Sequence, residues 1–130
     1  MLEALDADAV RRWSLAAAES LDAHRVEIDE LNVFPVPDRD TGTNMALTLE
    51  AVVSELDTVR PGSGLADVCK AIGHGSLMGA RGNSGVILSQ LLRGMSERMG
   101  GLEASGVGGS VLAEALAHAS DLARAAVVRP

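Results

Sequence analysis

The stretch Asn32–Leu56, NVFPVPDRDTGTNMALTLEAVVSEL, decides the fold of this chain. Its first twelve residues, Asn32 to Thr43, hold two prolines, one glycine and two aspartates, which is loop chemistry. Val33-Phe34-Pro35-Val36-Pro37 has an extended look, but proline at alternate positions cannot donate to a β-ladder and makes a poor strand. Near Asn44 the pattern changes. Met45, Leu47, Leu49, Val52, Val53 and Leu56 recur at the spacing of one helix face. A proline-stiffened loop thus feeds straight into an amphipathic helix.

Helical spacing recurs on both sides of this stretch. Val10, Trp13, Leu15, Ala17, Leu21, Val26 and Ile28 predict one helix over residues 7–31. Asp6 or Asp8 can cap its start, and Glu19, Asp22, Arg25 and Glu27 supply its wet side. Downstream, Arg60-Pro61-Gly62-Ser63-Gly64 stops the helix that begins near Asn44. A short third helix is expected from Leu65 to His74, after which Gly73, Gly75, Gly79, Gly82 and Gly85 punctuate a second loop. A fourth, from Ser84 to Met99, carries Val86, Ile87, Leu88, Leu91, Leu92 and Met95 inside. Gly100-Gly101 ends it, and Gly106-Val107-Gly108-Gly109 reads as a flexible bridge. The last helix, Ser110 to Val127, is alanine-rich and closes against Arg129-Pro130. No strand pattern or internal repeat is present. The expected architecture is all-α, an antiparallel set of about five amphipathic helices.

Composition agrees. Hydrophobic residues make up 47% of the 130-residue chain, charged residues 22% and aromatics only 2%. A core with one Trp, one Phe and no Tyr is built from Ala, Leu, Val and Met, most of which favour helix. The formal net charge of −7 argues against a nucleic-acid partner, because phosphate backbones call for clustered Lys and Arg. A single cysteine, Cys69, has no partner for an internal disulfide and reads as a small buried hydrophobe. Glu3, Asp6 and Asp8 stand where a signal peptide has a basic and then apolar run. No apolar stretch approaches the ~20 residues of a membrane span. A cytoplasmic location is the default expectation.

Two loops carry the chemistry. In the first, Pro35 and Pro37 stiffen the approach and fix where Asp38 and Asp40 project. Two carboxylates one residue apart repel each other unless a cation lies between them. Mg²⁺ takes hard oxygen ligands, typically one or two carboxylates plus phosphate oxygens and water. Thr41-Gly42-Thr43-Asn44 then opens a helix, and an exposed helix N-terminus offers unpaired N–H groups suited to phosphate. Carboxylates beside amides describe a nucleotide–Mg²⁺ site. The same residues also describe a plain solvated turn capping a helix, and spacing alone leaves both readings open. An EF-hand is excluded: counting from Asp38, the sixth position is Thr43 instead of Gly and the twelfth is Leu49 instead of Glu.

The second loop, Gly79-Ala80-Arg81-Gly82-Asn83-Ser84-Gly85-Val86-Ile87-Leu88, repeats the device of small residues, a hydroxyl and an amide before an apolar helix. It is neither a Walker A loop nor a Rossmann fingerprint, lacking the Gly-Lys-Ser/Thr ending of one and the preceding strand of the other. Close helix packing is the plain alternative for its glycines. Arg81 is placed either to balance phosphate charge or simply to be solvated. His24, His74 and His118 have no sequence partners that suggest catalysis.

Leu31-Asn32-Val33-Phe34-Pro35-Val36-Pro37-Asp38, Asp40-Thr41-Gly42-Thr43-Asn44-Met45 and Ala80-Arg81-Gly82-Asn83-Ser84-Gly85-Val86-Ile87-Leu88-Ser89-Gln90 together resemble the DhaL-like nucleotide-binding domain. That domain occurs as the ADP-binding subunit of dihydroxyacetone (glycerone) kinases and at the N-terminus of the ATP-binding subunit of bacterial fatty acid kinase. The wording here is nearer the fatty acid kinase branch, and the likeness runs over nearly the whole chain. It implies a barrel of amphipathic helices with ATP bound at one end and Mg²⁺ held by Asp38 and Asp40. The dihydroxyacetone kinase branch has a further Asp where this chain has Asn32, so Asn32 enters as a third, carbonyl metal ligand. Thr41, Gly42, Thr43, Asn44 and Met45, with Gly82, Asn83, Ser84 and Gly85, are the implied nucleotide contacts.

The resemblance further implies a kinase without a covalent nucleophile on this chain, whose acceptor is held by a partner protein. That acceptor is a fatty acid carboxylate on a lipid-carrying partner or, alternatively, dihydroxyacetone; a nucleotide-binding regulatory module without turnover is the non-enzymatic alternative. Two departures stand out. Arg39 occupies a place where the family commonly has Gly, and there it can pair with phosphate or compete with Mg²⁺. The family domain is also longer than this chain, so residues 1–130 are expected to be the N-terminal part of one domain, incomplete at the C-terminus. Apolar faces left open by that are expected to be covered, a homodimer being one way.

Overall fold

Asp6 starts the first helix, its carboxylate accepting the Ala9 N–H at 2.8 Å, in a computed structural model that describes residues 4–33, 37–100 and 107–128. Six helices follow: α1 (Ala7–Ala23), α2 (Arg25–Leu31), α3 (Thr41–Leu56), α4 (Leu65–Gly79), α5 (Gly82–Met99) and α6 (Gly109–Val128). The expected all-α class holds. Strands are absent among the described residues.

Several boundaries differ from expectation. The helix predicted over residues 7–31 is broken at His24, whose backbone sits at φ −105°, ψ 9° between α1 and α2. Its Nδ1 lies 2.8 Å from the Ser20 carbonyl oxygen, so a side chain, with no proline or glycine to announce it, accompanies the break. Trp13, Leu15 and Val26 are exposed, so the apolar face is narrower than the periodicity suggested. The short third helix runs on to Gly79, because Gly73, Gly75 and Gly79 serve helix packing instead of a loop. The helices expected from Asn44 and Ser84 begin earlier, at Thr41 and Gly82. Val107, read as part of a flexible bridge, is 2% exposed and exchanges two backbone hydrogen bonds with Leu5, at 2.8 and 2.7 Å. Phe34 to Val36, Gly101 to Gly106, Arg129 and Pro130 lie outside the described residues.

Consecutive helices pack side by side: α1 on α3, α3 on α4, α4 on α5, and α5 on α6, with α2 laid on the start of α3. Val10, Leu49, Val52, Leu56, Val68, Ile72, Leu92 and Ala115 form one core between them. Each fully buried aliphatic side chain there contributes roughly 1.5–3 kcal/mol. Small residues set the helix spacing. A Cβ on Gly94 would lie 2.6 Å from the Ala119 Cα, and one on Gly75 would lie 3.1 Å from the Val52 Cα. The pairs Gly94–Ala119 and Arg98–Glu114 make α5 and α6 antiparallel. On the far side, α1 stands off from α5 and α6. The space between is an apolar cavity of about 320 Å³ bordered by Trp13, Ile72, Leu92, Met95 and Leu116. No helix of the described residues is long and apolar enough to cross a membrane.

Two outcomes follow from this packing. Gly94→Leu should lower the unfolding free energy by about 1–3 kcal/mol through overpacking against α6. Gly64→Ala, where an added Cβ meets nothing within 4 Å, should be close to neutral; equal denaturation midpoints for the two would contradict the close crossing. Cys69 is 2% exposed and burial pushes its thiol up to about 11. It should resist a thiol reagent in the native protein at pH 8 and react fully in denaturant.

Candidate functional site

The two loops singled out by sequence meet at one end of the bundle. Thr48, two turns into α3, donates its hydroxyl to the Asn44 carbonyl at 2.7 Å and accepts the Arg81 N–H at 3.2 Å. Ser84 Oγ reaches the Thr41 carbonyl at 3.4 Å. Gly82 adopts φ +66°, where a side chain is strained, and the Asn44 amide lies where its Cβ would be. Gly85 is buried with Thr48 Oγ1 at 2.5 Å from the position of an added Cβ. The starts of α3 and α5 are therefore locked together by Thr41, Asn44 and Thr48 on one side and residues 81–85 on the other.

Around α3, α2 supplies a second set of contacts. Asn32, just past the end of α2, accepts the N–H groups of Asp40 at 3.0 Å and Thr41 at 3.2 Å on its one side-chain oxygen. Asp29 accepts the Thr43 N–H on Oδ1 at 2.9 Å and the Thr43 hydroxyl on Oδ2 at 2.5 Å. The Thr43 hydroxyl, together with the Thr43 and Gly42 N–H groups and the nearby Arg25, holds the Asp29 carboxyl below its ordinary value, against a smaller opposing effect of burial.

These contacts change the expected chemistry of the first loop. The amides at the start of α3, expected to be free for phosphate, are taken by protein oxygens: Asn32 and Asp29 cap them. Asn32 was expected to face a metal, yet both lone pairs of its carbonyl oxygen are committed to N–H groups. The start of α5 differs. Its N-cap residue, Arg81, makes no side-chain cap, and Gly82 and Asn83 are exposed.

Asp38 and Asp40 are both exposed, and among the described residues neither carboxylate enters a hydrogen bond or ion pair. No group of three or more His, Cys, Asp or Glu side chains able to hold a metal occurs among the described residues. Two solvent-facing carboxylates without a third fit Mg²⁺ that brings its own phosphate and water ligands better than they fit a closed protein cage. Arg39 between them has φ +54°, the left-handed region, and pairs with no carboxylate among the described residues.

The three histidines are not gathered here. His118 meets Glu97 at 2.8 Å across the α5–α6 interface, His24 lies at the α1–α2 break, and His74 lines an open groove with Glu55 and Lys70. Sequence reasoning missed Asp29 and Thr48. For Asp29 the available signal was its place three residues before Asn32, which puts the two on one face of a helix end.

The aspartate loop and the glycine-rich helix start converge at one end of a helical bundle, the arrangement that the resemblance to DhaL-like domains implies. Residues 35–130 match the sequence profile of the DAK2 domain, and the chain belongs to that family. It is 40% identical to protein YloV of Bacillus subtilis over 129 residues, covering 99% of this chain and 23% of that protein. An uncharacterized protein of Staphylococcus saprophyticus is 39% identical over 134 residues, with 100% and 23% coverage. Another, from Staphylococcus aureus strain USA300, is 40% identical over 116 residues, with 89% and 21% coverage. The chain spans less than a quarter of the length of these relatives.

The left-handed backbone at Arg39 gives a direct test of loop strain. A non-glycine residue there costs about 1 kcal/mol or more. Arg39→Gly should leave the thermal midpoint unchanged or raise it, contrary to the usual effect of introducing glycine. A clear drop would show that the arginine side chain stabilises the loop.

Proposed function

We propose that this chain is the nucleotide-binding part of a phosphotransferase, holding ATP with Mg²⁺ for transfer of the γ-phosphate. The acceptor is a fatty acid carboxylate presented by a lipid-carrying partner protein. One observation carries the reading: two exposed carboxylates without partners among the described residues, Asp38 and Asp40, stand at the start of α3, which is tied to the uncapped start of α5.

The work divides between the two helix starts. Asp38 and Asp40 are the residues that hold Mg²⁺, which when bound neutralises charge on the phosphates. The amides of Gly82, Asn83 and Ser84 offer hydrogen-bond donors and the positive end of the α5 dipole to phosphate oxygens. Gly82 and Gly85 keep side-chain bulk away from that approach. Asn32 and Asp29 keep α3 in place with Gly42 turned against α2, and Thr41, Asn44 and Met45 are the residues of its first turn left for the nucleotide. Among the described residues, no serine, cysteine or histidine near the two loops has a partner that would activate it as a nucleophile. Catalysis on this reading is positioning and electrostatics.

Calorimetry with a non-hydrolysable ATP analogue, with and without Mg²⁺, tests this on the complete natural protein. Asp38→Ala and Asp40→Ala should each weaken Mg-dependent binding by more than tenfold, about 1.4 kcal/mol or more, without lowering the thermal midpoint. Unchanged affinity in both variants would defeat the proposal. Transfer of phosphate to a fatty acid only when a lipid-loaded partner is added would support the acceptor.

A further inference from the structure

We propose that Asp29 is a positioning residue of this site, setting the first turn of α3 through Thr43; the inference rests on the nucleotide reading above. Asp29 and Thr43 are fourteen residues apart and belong to different helices. Both carboxylate oxygens are used on this one residue, Oδ1 on its N–H at 2.9 Å and Oδ2 on its hydroxyl at 2.5 Å. Such a two-pronged contact fixes direction as well as distance, and a charged acceptor makes each bond stronger than a neutral one.

Close approach of α2 makes the contact possible. Gly42 is buried where a Cβ would run into the Arg25 carbonyl and lie 2.9 Å from the Ile28 Cβ. Asn32 then holds the preceding two amides. The start of α3 is thus gripped at Asp40, Thr41 and Thr43 from α2, and at Thr41 and Asn44 from the α5 side. The residues gripped include Asp40 and begin two positions after Asp38. A shift of about 1 Å in a positioned group can cost 10²-fold in function.

The contact also decides what Thr43 can do. A hydroxyl has one proton, and this one is given to Asp29. Toward anything else Thr43 Oγ1 is an acceptor only, so it cannot donate to a phosphate. Its contribution to the site is orientation, and Asp29 is the group that enforces it.

A double-mutant cycle on the complete natural protein tests this, using a non-hydrolysable ATP analogue with Mg²⁺ and a thermal unfolding scan for each variant. Asp29→Ala and Thr43→Val should each weaken binding at least tenfold. The double variant should be no weaker than the poorer single variant within about twofold, since both changes remove one linkage. Thr43→Ser, which keeps the hydroxyl, should restore wild-type affinity. A purely structural cap predicts a lowered thermal midpoint with analogue affinity within threefold of wild type, and that result, or losses that multiply in the double variant, overturns the proposal. If Asp29→Ala does not fold, the Val and Ser variants at Thr43 decide, equal binding by the two counting against it. Loss of binding in Asp38→Ala with none in Asp29→Ala would sink this inference alone. No binding by the wild-type protein would sink the nucleotide reading with it.

Discussion

The capture of the first turn of α3 by Asp29 and Asn32 is the constraint on which the site depends. A helix N-terminus carries N–H groups without intrahelical partners, and here α2 is folded back to supply them. That return path exists only because the chain turns at His24 and because Gly42 has no side chain to hold α2 away. With the turn held, Asp40 cannot be drawn into capping its own helix, and its carboxylate remains exposed.

The same constraint separates the two helix starts chemically. The first loop is rich in oxygen acceptors, and its amides are already spent on them. At the second loop the amides are uncapped, and glycines leave room around them. Cation-seeking and anion-seeking surfaces therefore lie next to each other, joined through Thr41, Asn44 and Thr48. Neighbouring surfaces of that kind suit a metal–phosphate ligand, whose two parts carry opposite charges.

Support for this end of the molecule comes from helix packing with few large side chains. Gly75 against Val52 and Gly94 against Ala119 let α3, α4, α5 and α6 approach closely, so that Ala115, Ala119, Val52 and Val68 are fully or almost fully buried. Close approach lets the helices share one packed core with only one Trp and one Phe in the chain. Where α1 stands off from α5 and α6 the packing stops, leaving the apolar cavity beside Trp13, whose lining includes none of the residues at the starts of α3 and α5.

Much of this was legible in the sequence because it is local. Helical periodicity, the Pro-x-Pro stiffening before Asp38 and the glycines before Val86 act within a few residues, and they determined the all-α class, both loops and the candidate carboxylates. The family motif extended that reading to a nucleotide site. Other features were decided only when distant segments met. The glycines from Gly73 to Gly79 look like a loop in sequence, yet they are helical because α3 packs on Gly75 and Gly79 and α5 on Gly73. Asn32 offers a carbonyl to either a metal or a backbone amide, and only the position of α3 assigned it to the amides. The place of Asp29 three residues before Asn32 hints at a shared face but names no partner, since Thr43 lies on another helix. Short-range sterics and periodicity are written in neighbouring residues, whereas a hydrogen-bond acceptor acquires its role from whichever donor the completed fold brings within reach.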